Sequence, residues 1–391
     1  MVDVTSWFQE KLEHQTLEPL RRFTIGNSDY SSRVVTWPTF KREAHAIKSG
    51  KLLIELANQD KALNNFYVQK YTAQTSVEVA IGFTHPTSGD EYLPLFSGMF
   101  RDVLYADEKA QIECRDNYWE FVTRTIGEPG NTITFSHEIP SDILWTLCTC
   151  YGDLDSTQGS NNVNIDWNSF NALAAVFSQD HVLCSAEYDG EKLSTVLNKF
   201  SRYTDIALWI EGDGKINFKK FTEASSLDML ATENHFTDFQ FKMEGTRIVN
   251  TAHVFFNYDV STGTWLDTII AQNTPSVNSY GLFEEIFQEM SIWYVDSVSA
   301  LTLAHRKINM LHEPPRRFEV KSSLIGTHRK LGDTIRLNND FYSVNSSQSW
   351  AITALKIDLN KCQNLREMDE AKVANAFTLD VSTLDGSHLL L

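Results

Sequence analysis

The chain has 391 residues, of which 42% are hydrophobic, 12% aromatic and 22% charged; this is the composition of a folded protein, not a disordered one, with room for roughly two to three domains. With 51 acidic against 34 basic residues the formal net charge is -17, which excludes phosphate-backbone affinity as a property of the whole chain. No run reaches the roughly 18 apolar residues that a membrane span needs, and the opening MVDVTSWFQEKLEH carries charge on both sides of Trp7 and Phe8 instead of a signal-peptide core, so a soluble chain made in a cytoplasm, without stable membrane insertion, is expected.

The aromatic load of 24 Phe, 13 Tyr and 9 Trp favours β structure, because broad side chains suit a pleated, half-buried surface. Residues 1–20 read as a short amphipathic helix with Trp7, Phe8, Leu12 and Gln15 near one face. Alternation then takes over. Phe23 and Ile25 precede a Gly26-Asn27 turn, and further alternating runs follow at Leu52, Ile54 and Leu56, at Val77 to Phe83, at Tyr92 to Tyr105 and at Ala110 to Cys114. Short strands in sequence with polar turns between them predict an antiparallel barrel or sandwich. Gly98 inside a strand pattern marks a bulge or a close backbone approach, and Asn58 and Asp60 mark a turn.

The run GEPGN at Gly127 to Asn131 is the best domain boundary, and the period changes beyond it. Pro140, Ser141 and Asp142 open a helix that Gly152 closes, Asp153 to Asn164 is a polar loop, and Trp167 to Phe177 is a second helix. Leu193, Val196, Leu197, Phe200 and Tyr203 predict a helix over Glu191 to Thr204, followed by a hairpin whose arms carry Ile206 to Ile210 and Ile216 to Phe218. Ser225 to His235 is a looser connection. From Arg247 to Asp296 the chain forms a hairpin, with Val254, Phe256 and Tyr258 on one face and Leu266 to Ala271 as the second arm. A polar Ser276 to Gly281 joint and an apolar run from Leu282 to Tyr294 complete the stretch. Asp296 caps a helix striped by Val298, Leu301, Ala304, His305, Ile308 and Leu311 and ended by Pro314-Pro315. Strands follow at Phe318 to Leu324, Ile335 to Leu337 and Trp350 to Leu359, and Arg366 to Leu391 reads as a tail.

No G-x-S-x-G, H-E-x-x-H or complete phosphate loop occurs. Gly212-Asp213-Gly214-Lys215 lacks the following Ser or Thr and falls in a hairpin turn, and Asp153 and Asp155 lack the Gly and distal Glu of a calcium loop. Cys148 and Cys150 are separated by one residue, with Cys184 distant, and an odd count of five cysteines argues for reduced thiols. His305 and His312 could share a helix face but have no third ligand. The expectation is therefore no catalytic residue, no cofactor and no metal. The alternative is a carbohydrate-binding or glycan-cleaving protein with an open cleft, exposed tryptophans and two carboxylates. An assembly protein would instead place Trp37, Trp119, Trp265, Trp293 and Trp350 in cores or subunit contacts.

Four phrases in order, "FTIGNSDYSSRVVTWP", "LFSGMFRDVLYADEKAQIECRDNYWEF", "LNKFSRYTDIALWIEGDGKINF" and "NYDVSTGTW…SVNSYG…EEIF", followed by "LGDTIRLNNDF…WAITALKIDLNK", resemble the tail hub proteins of tailed phages, relatives of contractile-tail baseplate hubs and secretion-system spike bases. The resemblance implies an α+β, mainly antiparallel β fold: two tail-tube-like β-barrels with a helix-plus-hairpin domain between them and helical additions. The expected division is 1–130 for the first barrel with its N-terminal helix, 131–235 for the α+β domain, 236–365 for the second barrel with an inserted helix, and 366–391 for the tail. It further implies a homotrimer at the distal end of the tail tube, joining a six-fold tube to the tip. Its partners would be the distal tail or tail tube protein, the tape-measure protein and tail-tip or fibre proteins, with DNA passing without specific binding.

Overall fold

A computed structural model describes residues 4–13, 18–44, 47, 50–64, 75–128, 130–179, 182–204, 206–220, 230–231, 236–289, 292–324, 326–337 and 349–370. The fold is α+β with mostly antiparallel strands. Strict alternation builds the first sheet: in Lys109–Asp116 every second residue is buried, and Phe23 pairs opposite Val79 across Leu20–Ile25 and Ser76–His85. Among the described residues seven strands lie in the order Ser28–Asp29, Leu20–Ile25, Ser76–His85, Gly89–Ala106, Lys109–Asp116, Lys51–Ala57 and Val34–Thr36. Gly98 stands where a Cβ would fall 2.2 Å from the Arg115 carbonyl oxygen, so the close-approach reading of that glycine holds. The N-terminal helix, Ser6–Glu13, seats Phe8 and Leu12 on this sheet, with the Phe8 and Phe83 rings 5.3 Å apart. Gln15 and the tail from residue 371 lie outside the described residues.

The second sheet runs Leu230–Ala231, Thr334–Leu337, Ser349–Asp358, Gln363–Glu370, Arg316–Ser322 and Phe236–Met243. Its seventh strand comes from the other end of the chain: Thr39–Glu43 pairs antiparallel with Ser349–Asp358, Phe40 opposite Ile357. Strand Gln363–Glu370 occupies residues where a tail was expected to begin. It was hidden because its sequence, QNLREMDE, reads as polar although Asn364, Arg366 and Met368 are buried.

The cores do not follow the expected boundaries. Phe23, Val79, Ile81 and Phe100 of the first sheet share one hydrophobic cluster with Phe318, Trp350, Ile352 and Met368 of the second. A second cluster fills most of the remaining apolar interior. It unites the helices Pro140–Thr146, Trp167–Gln179 and Leu193–Thr204 with the hairpin Thr251–Asp259 and Thr264–Gln272 and the helix Ser297–Leu311. The 251–311 segment therefore packs with the middle of the chain, not with the sheet that flanks it in sequence. Its polar joint is also a helix, Thr274–Tyr280, capped by Asn273, whose side chain accepts from the Ser276 N–H at 2.9 Å, and ended by Gly281 at φ 90. The short helix Trp119–Thr123 was not anticipated.

Candidate functional site

The polar groups that sequence reading singled out are spread over the molecule, and two constellations it missed join the cores. The first is the turn after Ile206–Ile210. Glu211 is almost wholly buried; its carboxylate pairs with the Arg42 guanidinium and accepts from Trp209 Nε1 at 3.0 Å and from the Gly212 N–H at 2.9 Å. Arg42 also donates to the Leu95 carbonyl at 2.9 Å. A Cβ on Gly212 would sit 2.1 Å from the Pro94 oxygen, and the Tyr118 hydroxyl shares its one proton between the Gly214 and Asn164 carbonyls, each 2.6 Å away. The Gly-Asp-Gly-Lys run is thus a docking turn pressed against the first sheet. At the tip of the turn, Asp213 accepts from the local Lys215 N–H at 2.9 Å.

The second constellation lines a cleft of about 720 Å³ between the helix Trp167–Gln179, the strand Ile216–Lys220 and the loop before Thr334–Leu337. Lys330 Nζ reaches Asp166 Oδ2 at 2.9 Å and Asn217 Oδ1 at 2.7 Å, and Lys219 Nζ reaches Asp333 Oδ1 at 2.9 Å. Burial works against the charge on both carboxylates, yet Lys330 beside Asp166 and Lys219 beside Asp333 hold their pKa values below the ordinary range. Asp166 also caps the helix, accepting from the Ser169 N–H at 3.2 Å. These lysines and carboxylates satisfy one another across the joint between the two cores, which is what a latch does. Their partners lie more than a hundred residues away in sequence; the glycines flanking Asp213 were the one local hint.

Among the described residues no group of three or more His, Cys, Asp or Glu side chains could hold a metal ion. Cys114, Cys148 and Cys184 are buried, and burial pushes the Cys148 thiol up to about 12, away from thiolate chemistry. Asp153 pairs with Arg124 at 2.9 Å, whereas Asp155 organises its own loop by accepting from the Thr157 and Val163 N–H groups. His305 is half-buried with a pKa lowered by burial, and the His312 ring lies 3.0 Å from the Ile308 carbonyl, at the helix end. Of the five tryptophans that an assembly protein would place in cores or contacts, Trp350 and Trp293 are buried. Trp37 and Trp265 are half-buried, and Trp119 is 39% exposed beneath the Arg115 guanidinium.

Among solved structures, the 43 kDa tail protein of prophage MuSo2 from Shewanella oneidensis superposes with a TM-score of 0.54 at 9% identity, over 90% of this chain and 98% of its own. The tail protein from Neisseria meningitidis MC58 does so with a TM-score of 0.56 at 9% identity, over 90% and 97%. This chain has the tail-protein fold. No family model matches the chain, and neither does any curated protein. Because the coverage is nearly complete on both sides, the tail-protein fold embraces both sheets and the helical middle together, not one shared piece.

Proposed function

We propose that the chain is a structural virion protein, the hub at the distal end of a phage tail tube. In this reading it is a homotrimer whose two seven-stranded sheets each act as a barrel of tail-tube type, so that three copies offer six similar positions to a six-fold tube. The observation that carries the reading is the tail-protein fold spread over 90% of the chain, with two seven-stranded sheets fused around one core. A ring also disposes of sheet edges, since each exposed strand row finds a partner in the next subunit. The hub would line or close the channel for DNA and the tape-measure protein, meet the tail tube on one side and tip or fibre proteins on the other, and be assembled in the host cytoplasm. Its work is geometric, not catalytic: the acidic and basic side chains of the central cleft are engaged with each other, and any opening of the tip is a shift between packed states.

The test is mass and symmetry. Light scattering of the purified chain should give three times the chain mass, and class averages should show a three-fold ring with six peripheral lobes. A monomer at micromolar concentration, alone and with the tube protein added, overturns the proposal.

A further inference from the structure

The cleft of about 720 Å³ beside the helix Trp167–Gln179 is of the size that encloses a small ligand, and its walls narrow the kind. A peptide strand would find little main chain to pair with, because the outer edge of Ile216–Lys220 is already engaged. There the Ile216 N–H donates to the Asn164 carbonyl at 2.8 Å, the Ile216 carbonyl accepts from the Asp166 N–H at 2.9 Å, and the Phe218 N–H donates to Ser169 Oγ at 3.2 Å. Recognition therefore falls to side chains.

The charges of the lining nearly cancel. Lys330 is bridged to Asp166 and Lys219 to Asp333, and Lys220 is buried with its Nζ 5.3 Å from the centre of the Phe177 ring. Asp213 and Lys215 also line the cleft, and among the described residues neither is in an ion pair. Lys215 Nζ donates to the Asn162 carbonyl at 2.8 Å, and burial, with the charge of Glu211 adding to it, raises the pKa of Asp213. The cleft thus offers one acceptor and one donor that no bridge has consumed, two residues apart. An anion would have to take a lysine from its carboxylate, in a chain whose net charge is -17; a cation would have to displace a lysine. A neutral hydroxyl compound displaces neither, since each hydroxyl can donate to a carboxylate and accept from an ammonium group.

The apolar side of the cleft completes the match. Trp167 is half-buried in the lining, and its ring is braced edge-on by Trp145 at 5.6 Å and 80°. Leu173 and Val176 continue that wall, and the exposed Ala172 leaves the space in front of it open. A sugar ring has this same division, an apolar face of C–H groups and a rim of hydroxyls.

We propose that the cleft binds a neutral oligosaccharide, with one ring against Trp167 and hydroxyls bridging Asp213 and Lys215. The site adds a ligand to the hub reading without resting on it, and no bond of the ligand is cut.

The full chain is applied to an array of neutral, uronic-acid-bearing and phosphorylated oligosaccharides, and the strongest neutral binder is titrated by calorimetry. Binding should be saturable and unchanged by added salt, because no net charge is neutralised. Ala172→Trp, a filling substitution on an exposed helix position, should abolish it, and Trp167→Ala and Lys215→Met should each weaken it about tenfold, with circular dichroism confirming the fold. Binding of no neutral glycan, preference for the acidic or phosphorylated ones, affinity that falls with salt, or undiminished binding by Ala172→Trp overturns the proposal. A three-fold ring that binds no glycan leaves the hub reading standing, whereas a monomer that binds one in this manner leaves only the sugar site.

Discussion

Removing Arg42 should unseat the turn that joins the two cores, and it should do so through a stranded charge more than through lost volume. Glu211 has side-chain exposure of 1% and Arg42 of 11%, so water cannot take over either group. With Arg42→Met the carboxylate keeps only the neutral donors Trp209 Nε1 and the Gly212 N–H, and an uncompensated buried charge costs about 3–5 kcal/mol. Glu211→Gln retains an acceptor for those donors but removes the charge. Alone it should cost about 1 kcal/mol; in the Arg42→Met background it should instead recover about 2 kcal/mol, a coupling of about 3 kcal/mol, at the upper end of what is seen for groups in direct contact. Urea unfolding by circular dichroism gives the four corners of the cycle, and amide exchange along the Ile206–Ile210 and Ile216–Lys220 hairpin shows where the loss falls. If Arg42→Met costs under about 1 kcal/mol, or if Glu211→Gln destabilises equally in both backgrounds, the buried pair does not hold the turn.

His328 is 3% exposed, neither ring nitrogen has a hydrogen bond among the described residues, and its pKa is lowered from 6.5 to about 4 by burial first, then by the charges of Arg329 and Arg366, against Asp333. A base with a depressed folded pKa contributes its full stability above 6.5 and loses it as pH falls toward 4, a loss of about 3 kcal/mol across that window; His328→Leu should flatten that part of the stability profile. Gly212→Ala, whose Cβ would lie 2.1 Å from the Pro94 oxygen, should cost about 1–3 kcal/mol by overpacking, measurable as a lower urea midpoint. Asp296 accepts from the N–H and the hydroxyl of Ser299 at 2.8 and 2.9 Å, so Asp296→Ala should cost about 1 kcal/mol, with faster exchange at the start of Ser297–Leu311.

Local signals were legible where the side-chain period alone decides the element. Val77 to Phe83, the stripe of Leu193 to Tyr203 and the Asp296 cap all became the expected strand, helix and cap. Ser276 to Gly281 was misread because Ser, Asn and Gly suit turns; Asn273 capping and Pro275 in the first turn made it a helix. Thr39–Glu43 was invisible for another reason: TFKRE carries one apolar residue, and its place is set by a strand three hundred residues away. The turn at Glu211 and the latch at Lys330 share that property, since a non-local ion pair leaves no period in sequence.

That same crossing strand bears on how the molecule can move. Phe40 lies opposite Ile357 in the second sheet and stacks at 6.4 Å on Phe96 of the first. Just beyond it, Ala44 donates its N–H to Thr353 and accepts from the Leu208 N–H, both at 2.9 Å. One short segment therefore ties both sheets and the hairpin. Separating the two sheets would open a close-packed common core around Trp350, where each large side chain is worth about 1.5–3 kcal/mol of burial. Displacing the helical middle from the sheets would break the directed contacts at Arg42, Lys219 and Lys330 and also withdraw Ala207 and Trp209 of the hairpin from the sheets' shared core.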